Sequence, residues 1–272
     1  MKIAVHGAAG RMGQSVIRLC AAENIKVVGA VVSPKSPHEG RDAGDLCGAG
    51  HLGVALSPDV SSGLLDADVV IDFSTAAALP HLLALAGRAG VAVVTGTTRL
   101  DATCQKLLED TASKVAVLSS PNMSLGVHVL IELAKLAAQK LGTSFDLEIV
   151  ETHHRAKVDS PSGTALRLAE ALAETRAGAE EITGRKGNVG PRRASEIGVF
   201  AVRGGDVIGD HSVHLLGLGE RLELTHRATN RDLFSRGALR AARFLCGKPA
   251  GRYTMADVLA GPAGNTSHPA AL

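Results

Sequence analysis

The chain has 272 residues, 45% of them hydrophobic and 21% charged, enough apolar material for a substantial core in one large domain or two modest ones. Its 29 Lys and Arg against 27 Asp and Glu leave a formal charge of +2. Like charges form no long runs, and one Tyr, five Phe and no Trp offer few stacking platforms, so a nucleic-acid partner is excluded.

Four cysteines, Cys20, Cys47, Cys104 and Cys246, are far apart and form no C-x-x-C pair, which reads as the reduced thiols of a cytoplasmic protein. Met1-Lys2 leads directly into an apolar strand. No secretory leader and no membrane span are expected.

Residues 2–6 form a short apolar run that ends at Gly7, and Val16, Ile17, Cys20 and Ala21 then share one helical face. Further apolar runs follow at Val27 to Val32, Ala67 to Phe73, Val91 to Val94 and Val115 to Leu118, with helices expected at Ala76 to Arg88 and Asp101 to Ser113. Strands without polar alternation, separated by helices, predict a Rossmann-type doubly wound α/β domain whose parallel sheet is covered on both faces.

A long amphipathic helix, Leu125 to Leu141, precedes a change of period. Phe145, Leu147 and Ile149 face one way while Asp146 and Glu148 face the other, so this strand is half-buried. A helix near 162–175 and strands at 196–203, 207–215 and 220–227 complete a second, α+β domain built on a mixed sheet, one face packed and the other available to a partner subunit. Residues 176–195 read as a loop, and the tail from Gly261 as mobile.

Between the first strand and the first helix lies Gly7-Ala8-Ala9-Gly10-Arg11-Met12-Gly13, a G-x-x-G-x-x-G turn at which N–H groups and the helix dipole can receive a pyrophosphate. Asp72-Phe73-Ser74, Thr95-Gly96-Thr97-Thr98 and Ser120-Pro121-Asn122-Met123 end other strands of the same sheet, along the edge where doubly wound folds bind ligands. Each alone is an ordinary polar turn. Together they predict a dinucleotide crevice.

The densest chemistry is Glu151-Thr152-His153-His154-Arg155-Ala156-Lys157-Val158-Asp159-Ser160-Pro161-Ser162-Gly163-Thr164. Two His, an Arg and a Lys within five residues suit an anion or a proton transfer. Ser162 reads as an N-cap, so Gly163 and Thr164 would turn backbone N–H groups toward a carboxylate. The same segment also fits a solvated basic loop. A metal site lacks a third and fourth ligand at suitable spacing, so no metal is expected, and Ser162 lacks the sequence of a nucleophile elbow.

These segments resemble the 4-hydroxy-tetrahydrodipicolinate reductase family: VHGAAGRMG, DFS, TGTT, PNMSLGV and, most specifically, E-x-H-H-R-x-K-x-D-x-P-S-G-T-A-L, with GDVIGDH at 205–211 and GERLELTHRA at 219–228. The resemblance implies a dinucleotide-binding domain at 1–124 completed by 234–272 and its C-terminal helix. Residues 125–233 would form the substrate-binding domain, which would also build a homotetramer. It implies reduction of a cyclic imine dicarboxylate by NADPH or NADH, on the route to diaminopimelate and lysine. His153 matches a proton donor or acceptor and Lys157 a proton donor. His154, Gly163 and Thr164 match substrate-carboxylate positions, while Gly7 to Met12, Gly96 to Thr98 and Ser120 to Met123 match cofactor contacts.

Two positions depart from the family pattern. Ser33-Pro34-Lys35 stands where many members place an acidic residue for the adenosine ribose, and Met123 stands where an aromatic residue is common. With Ser33 and Lys35 in those places, both cofactors are expected to serve, with a modest lean to NADPH. Aspartate and homoserine dehydrogenases, or a catalytically silent dinucleotide sensor, are the rival readings. The dehydrogenases are not expected to carry His-His-Arg-x-Lys beside a Ser-Gly-Thr helix start, and intact His153 and Lys157 argue against the sensor.

Overall fold

A computed structural model describes residues 1–261. In chain order its first elements are β1 (Lys2–His6), α1 (Arg11–Ala22), β2 (Lys26–Val31), α2 (Ala43–Cys47), β3 (Leu56–Ser57), α3 (Val60–Leu64), β4 (Val69–Asp72), α4 (Leu79–Ala89), β5 (Ala92–Thr95), α5 (Ala102–Ala112) and β6 (Ala116–Ser119). There follow α6 (Leu125–Leu141), β7 (Asp146–His153), α7 (Gly163–Ala173), β8 (Glu180–Ile182), β9 (Glu196–Arg203), β10 (Gly209–Leu216) and β11 (Arg221–Ala228). The last are α8 (Asp232–Leu245), β12 (Gly251–Tyr253) and α9 (Met255–Ala260). Contacts divide the chain into two compact units, Met1–Leu125 with the chain from Asp232 onward, and Gly126–Arg231.

In the first unit a seven-stranded parallel sheet runs β12-β6-β5-β4-β1-β2-β3. Such a sheet must be apolar on both sides, and β4 and β5 are buried at every position. One face packs on α1 and α8 through Ile17, Cys20, Leu239 and Leu245, and the other on α3, α4 and α5 through Leu64, Leu82, Leu83 and Leu108. Strand order reverses between β1 and β4, which makes their carboxyl ends the topological switch point. This is the doubly wound sheet the apolar runs predict. The short α2, β3, α3 and β12 carry too few residues to show a period and were not anticipated.

The second unit holds a five-stranded mixed sheet, β11-β10-β7-β9-β8, in which β7 and β8 run parallel to β9 and the other pairs are antiparallel. Leu130, Ala134 and Ala138 of α6 and Ala165, Leu168 and Leu172 of α7 cover one face, on Leu147, Ile149, Val199 and Val213. The stretch 176–195, expected to be all loop, contributes β8, whose three residues pair with β9 without any apolar alternation of their own. The expectation for the tail after Gly261 lies outside the described residues.

Candidate active site

At the switch point of the first unit the chain turns at Gly7, whose φ of +81° is a left-handed conformation. A Cβ there would lie 2.6 Å from the Phe73 carbonyl oxygen, and one on Gly13 would lie 2.3 Å from the Gly7 carbonyl oxygen. The turn thus exists only without side chains. Helix α1 begins after Gly10 with no side-chain cap and no acidic residue in its first turn, so its positive end is left to an anion. These features fit a cofactor's pyrophosphate. Ser33 and Lys35 lie exposed beyond the end of β2, and Arg11 is exposed at the start of α1.

The ends of β1, β4 and β5 are pinned by a carboxylate that the sequence places in a crevice turn but does not mark as a buried anchor. Asp72 is fully buried and accepts from His6 Nδ1 at 2.8 Å, Thr95 Oγ1 at 2.6 Å, Thr97 Oγ1 at 2.7 Å and the Ser74 N–H at 3.1 Å. Burial opposes its ionisation, but these bonds outweigh it and hold the carboxyl below its usual range. Thr97 is consequently occupied with Asp72, while Gly96 and Thr98 on either side remain accessible. Ala8 and Ser120 are also buried, Ser120 Oγ donating to the Asn122 carbonyl. Met123, expected among the cofactor contacts, is 1% exposed and packs in the core of the first unit, where the Gly237 position of α8 leaves no room for a Cβ beside its carbonyl. Its side chain belongs to the core.

In the second unit the period-2 burial of β7 runs Leu147, Ile149, Glu151, His153, so the last two inward positions are a carboxylate and an imidazole. Glu151 is fully buried, and its Oε2 lies 2.6 Å from His153 Nδ1. A carboxylate only accepts, so Nδ1 carries the hydrogen and Nε2 is left as the basic atom. Arg203 of β9 binds both oxygens of Glu151, at 2.7 and 2.8 Å, and the Ser162 N–H donates to Oε1 at 3.0 Å. Burial works against the Glu151 charge, yet Arg203, His153 and Ser162 together hold its pKa below the usual value. Burial lowers the His153 pKa, Glu151 opposes this, and Lys157 and Arg203 reinforce it. A residue at Gly209 with a Cβ would approach His153 Nε2 to 2.8 Å, so glycine there keeps that nitrogen clear.

His211 of β10 stands edge-on to His153, ring centres 5.2 Å apart, and its Nε2 is 3.1 Å from Ser162 Oγ. Burial, with His153 beside it, lowers its pKa to about 4, so it stays neutral. Ser162 is the N-cap of α7 as the sequence predicts, accepting from the Ala165 N–H at 3.2 Å. Gly163 opens that helix with no acidic residue in its first turn and Thr164 follows. Lys157 Nζ contacts both carboxylate oxygens of Asp159 at 2.9 Å. His153, Ser162 and Arg203 are thus gathered on one carboxylate, while Lys157, His154, Gly163 and Thr164 lie on the loop and helix start that follow β7.

Among the described residues one group could hold a cation, Asp42, Asp45 and His51, with ligand atoms within 4.8 Å of one another. Asp42 already accepts the N–H groups of Gly44, Asp45, Leu52 and Val54, which against burial hold its pKa at about 2. Those bonds make Asp42 a loop staple.

Residues 1–123 match the family described as "Dihydrodipicolinate reductase, N-terminus", and residues 126–259 its C-terminus. The chain is 50% identical over 264 residues to a 4-hydroxy-tetrahydrodipicolinate reductase from Anaeromyxobacter sp. (strain Fw109-5), an alignment that covers 95% of this chain and 97% of that one. It is 49% identical to the Methanopyrus kandleri protein of the same name, with 95% and 96% covered. Among solved structures it shares its fold with a dipicolinate-bound dihydrodipicolinate reductase from Paenisporosarcina sp. TG-14, with a TM-score of 0.72 at 24% identity, covering 94% of this chain and 98% of that one. Both domain matches and these near-complete alignments place the chain in one family. It belongs to the dihydrodipicolinate reductases.

Proposed function

We propose that this protein is the cytoplasmic enzyme that reduces 4-hydroxy-2,3,4,5-tetrahydrodipicolinate to 2,3,4,5-tetrahydrodipicolinate, with loss of water, in diaminopimelate and lysine biosynthesis. The observation that carries the reading is the Glu151–His153 pair lying just ahead of the Lys157 loop and the Ser162-Gly163-Thr164 helix start, in a chain 50% identical to a reductase of that name. NADPH or NADH, when bound, supplies hydride. The first unit would hold it on Gly7, Ala9 to Met12, Gly96, Thr98 and the Pro121-Asn122 turn, with Ser33 and Lys35 near the adenosine ribose. In the second unit His154 and the amides of Gly163 and Thr164 hold the substrate's carboxylates, Lys157 gives the proton taken up on reduction, and His153 exchanges one through Nε2. The face of the second sheet that carries Val202 of β9, 48% exposed and not among the residues packed by α6 and α7, supports assembly into a homotetramer. The test is a coupled assay in which substrate is made from pyruvate and aspartate semialdehyde and nicotinamide absorbance is followed. No oxidation of either cofactor would overturn the reading.

Pyridine-2,6-dicarboxylate, a flat mimic of the two-carboxylate ring, is expected to compete with substrate. Charge-assisted bonds to carboxylates are each worth about 1.5–3 kcal/mol, so His154→Ala, or Thr164→Pro, which removes the N–H in the first turn of α7, should weaken it by roughly tenfold or more. Inhibition constants from steady-state kinetics check this; values unchanged in both variants would misplace the substrate pocket.

The cofactor lean follows from what β2 lacks at its end. An acidic residue there would accept from the ribose hydroxyls and repel a 2′-phosphate. Ser33 carries no charge to repel that phosphate, and exposed Lys35 and Arg11 offer positive charge, worth at most about 1 kcal/mol. Both cofactors should therefore work, with NADPH favoured by about tenfold or less in kcat/KM. Added salt should shrink that ratio, and Ser33→Glu should reverse it. A strong native preference for NADH would show that this loop does not read the ribose.

A further inference from the structure

Besides the Ser162 N–H, Glu151 is bonded by two side chains of different kinds, a titratable imidazole and a guanidinium that never titrates. Were His153 its only partner, charge balance in a buried site would keep the imidazole protonated, and a proton held that way is not exchanged near neutral pH. Arg203 lies opposite His153 in the β7–β9 register and takes over the neutralisation with both terminal nitrogens. Nη2 also donates to the Asp159 carbonyl oxygen at 2.8 Å, and the Asp159 carboxylate grips Lys157. One guanidinium therefore joins the strand that carries His153 to the loop that carries Lys157.

We propose that Arg203 is a positioning residue for the reaction: by neutralising Glu151 it leaves the His153 imidazole free to give up and regain its proton, and by bonding the Asp159 carbonyl it fixes the Lys157 loop to the same carboxylate. This rests on the reading of His153 and Lys157 given above. The charged and titratable groups that face His153 are Glu151 on β7, Arg203 on β9, His211 on β10, and Lys157 on the loop that follows β7. Of these, Glu151 raises the His153 pKa, while Arg203 and Lys157 lower it. Removal of Arg203 leaves Glu151 to be balanced by His153 alone.

The experiment compares Arg203→Met and Arg203→Lys with the full-length wild type, using an NMR titration of the His153 ring assigned by its loss in His153→Asn. It is run beside kcat as a function of pH with saturating NADPH. In Arg203→Met the His153 midpoint should rise by about one pH unit, kcat should fall about tenfold or more, and KM for NADPH should stay within about twofold. In Arg203→Lys the charge survives but the fork does not, because one ammonium cannot reach two carboxylate oxygens and a carbonyl together. Its midpoint should return to near the wild-type value while kcat stays well below it. An unmoved midpoint in Arg203→Met overturns the proposal. Should that variant not fold, wild-type kcat in Arg203→Lys overturns it. A midpoint that moves in the NMR titration while kcat falls with an unshifted pH profile supports Arg203 through the Lys157 loop and removes His153 from the chemistry, whereas a moved midpoint with wild-type kcat overturns the proposal, so the two failures are distinguishable.

Discussion

Replacing Lys157 by Ala is expected to lower kcat by about 10²- to 10⁴-fold, the usual worth of a positioned general acid, with little change in stability or in the KM for NADPH. Its ammonium is held by Asp159, whose carboxylate is 49% exposed, and an ion pair that open to water contributes at most about 1 kcal/mol to folding. Loss of Lys157 should therefore show in the chemistry alone. The residues proposed to hold the cofactor belong to the first unit and Lys157 to the second, so cofactor binding is not touched directly. Lys157→Arg separates charge from proton transfer. A guanidinium still attracts the substrate's carboxylates but gives up no proton, so pyridine-2,6-dicarboxylate should bind nearly as well while kcat stays low. A loss below about tenfold in Lys157→Ala, or recovery of kcat in Lys157→Arg, would remove the proton-donor role.

Much of the first unit was readable because a buried parallel sheet writes itself as continuous Val, Ile and Ala runs: β1 and β4 lie within those runs, and β2, β5 and β6 match them to within one residue at each end. The glycine turn was readable for the same reason that it is strained against side chains. What could not be read is what strand pairing assembles. Arg203 reaches Glu151 across 52 positions, and His211 reaches Ser162 across 49, with no local pattern to connect them. One signal was available. The alternation Phe145, Leu147, Ile149 continues in register to Glu151 and His153, and a carboxylate at an inward position of a half-buried strand must have a partner. Asp72 hid differently, as the polar end of an apolar strand, where a turn residue and a buried anchor look alike. Met123 turns its side chain into the core from a strand-end loop, and sequence position does not say which way a side chain turns.

Glu151→Gln is the change expected to cost most in stability, and its cost carries a pH signature. The substitution keeps the size and the acceptor oxygen but leaves Arg203 without its counter-charge. Breaking a buried pair this way costs about 3–5 kcal/mol, and the lower end applies because the Arg203 side chain is 21% exposed. The folded-state pKa of Glu151 lies below its ordinary 4.5. Its ionic contribution is thus fully present above that value and is lost as pH falls through the lower folded pKa. The gap between wild type and Glu151→Gln, measured from denaturant midpoints of the full chain, should widen as pH falls from 7 toward 5, because without Glu151 the folded protein takes up the His153 proton less readily, and should shrink steadily below about pH 5 as Glu151 itself is protonated. Catalysis should suffer too, for a reason of geometry. A carboxylate can only accept from Nδ1, whereas a glutamine amide can also donate to it, and that places the imidazole's hydrogen on Nε2, the atom that must exchange protons. Where the carboxylate of a catalytic triad is replaced by an amide, the wrong tautomer costs about 10⁴-fold in kcat, and a loss of at least about 10²-fold is expected here. A stability gap that is the same at pH 7 and pH 3, together with near-normal turnover, would mean that Glu151 neither carries charge in the folded protein nor sets the His153 tautomer.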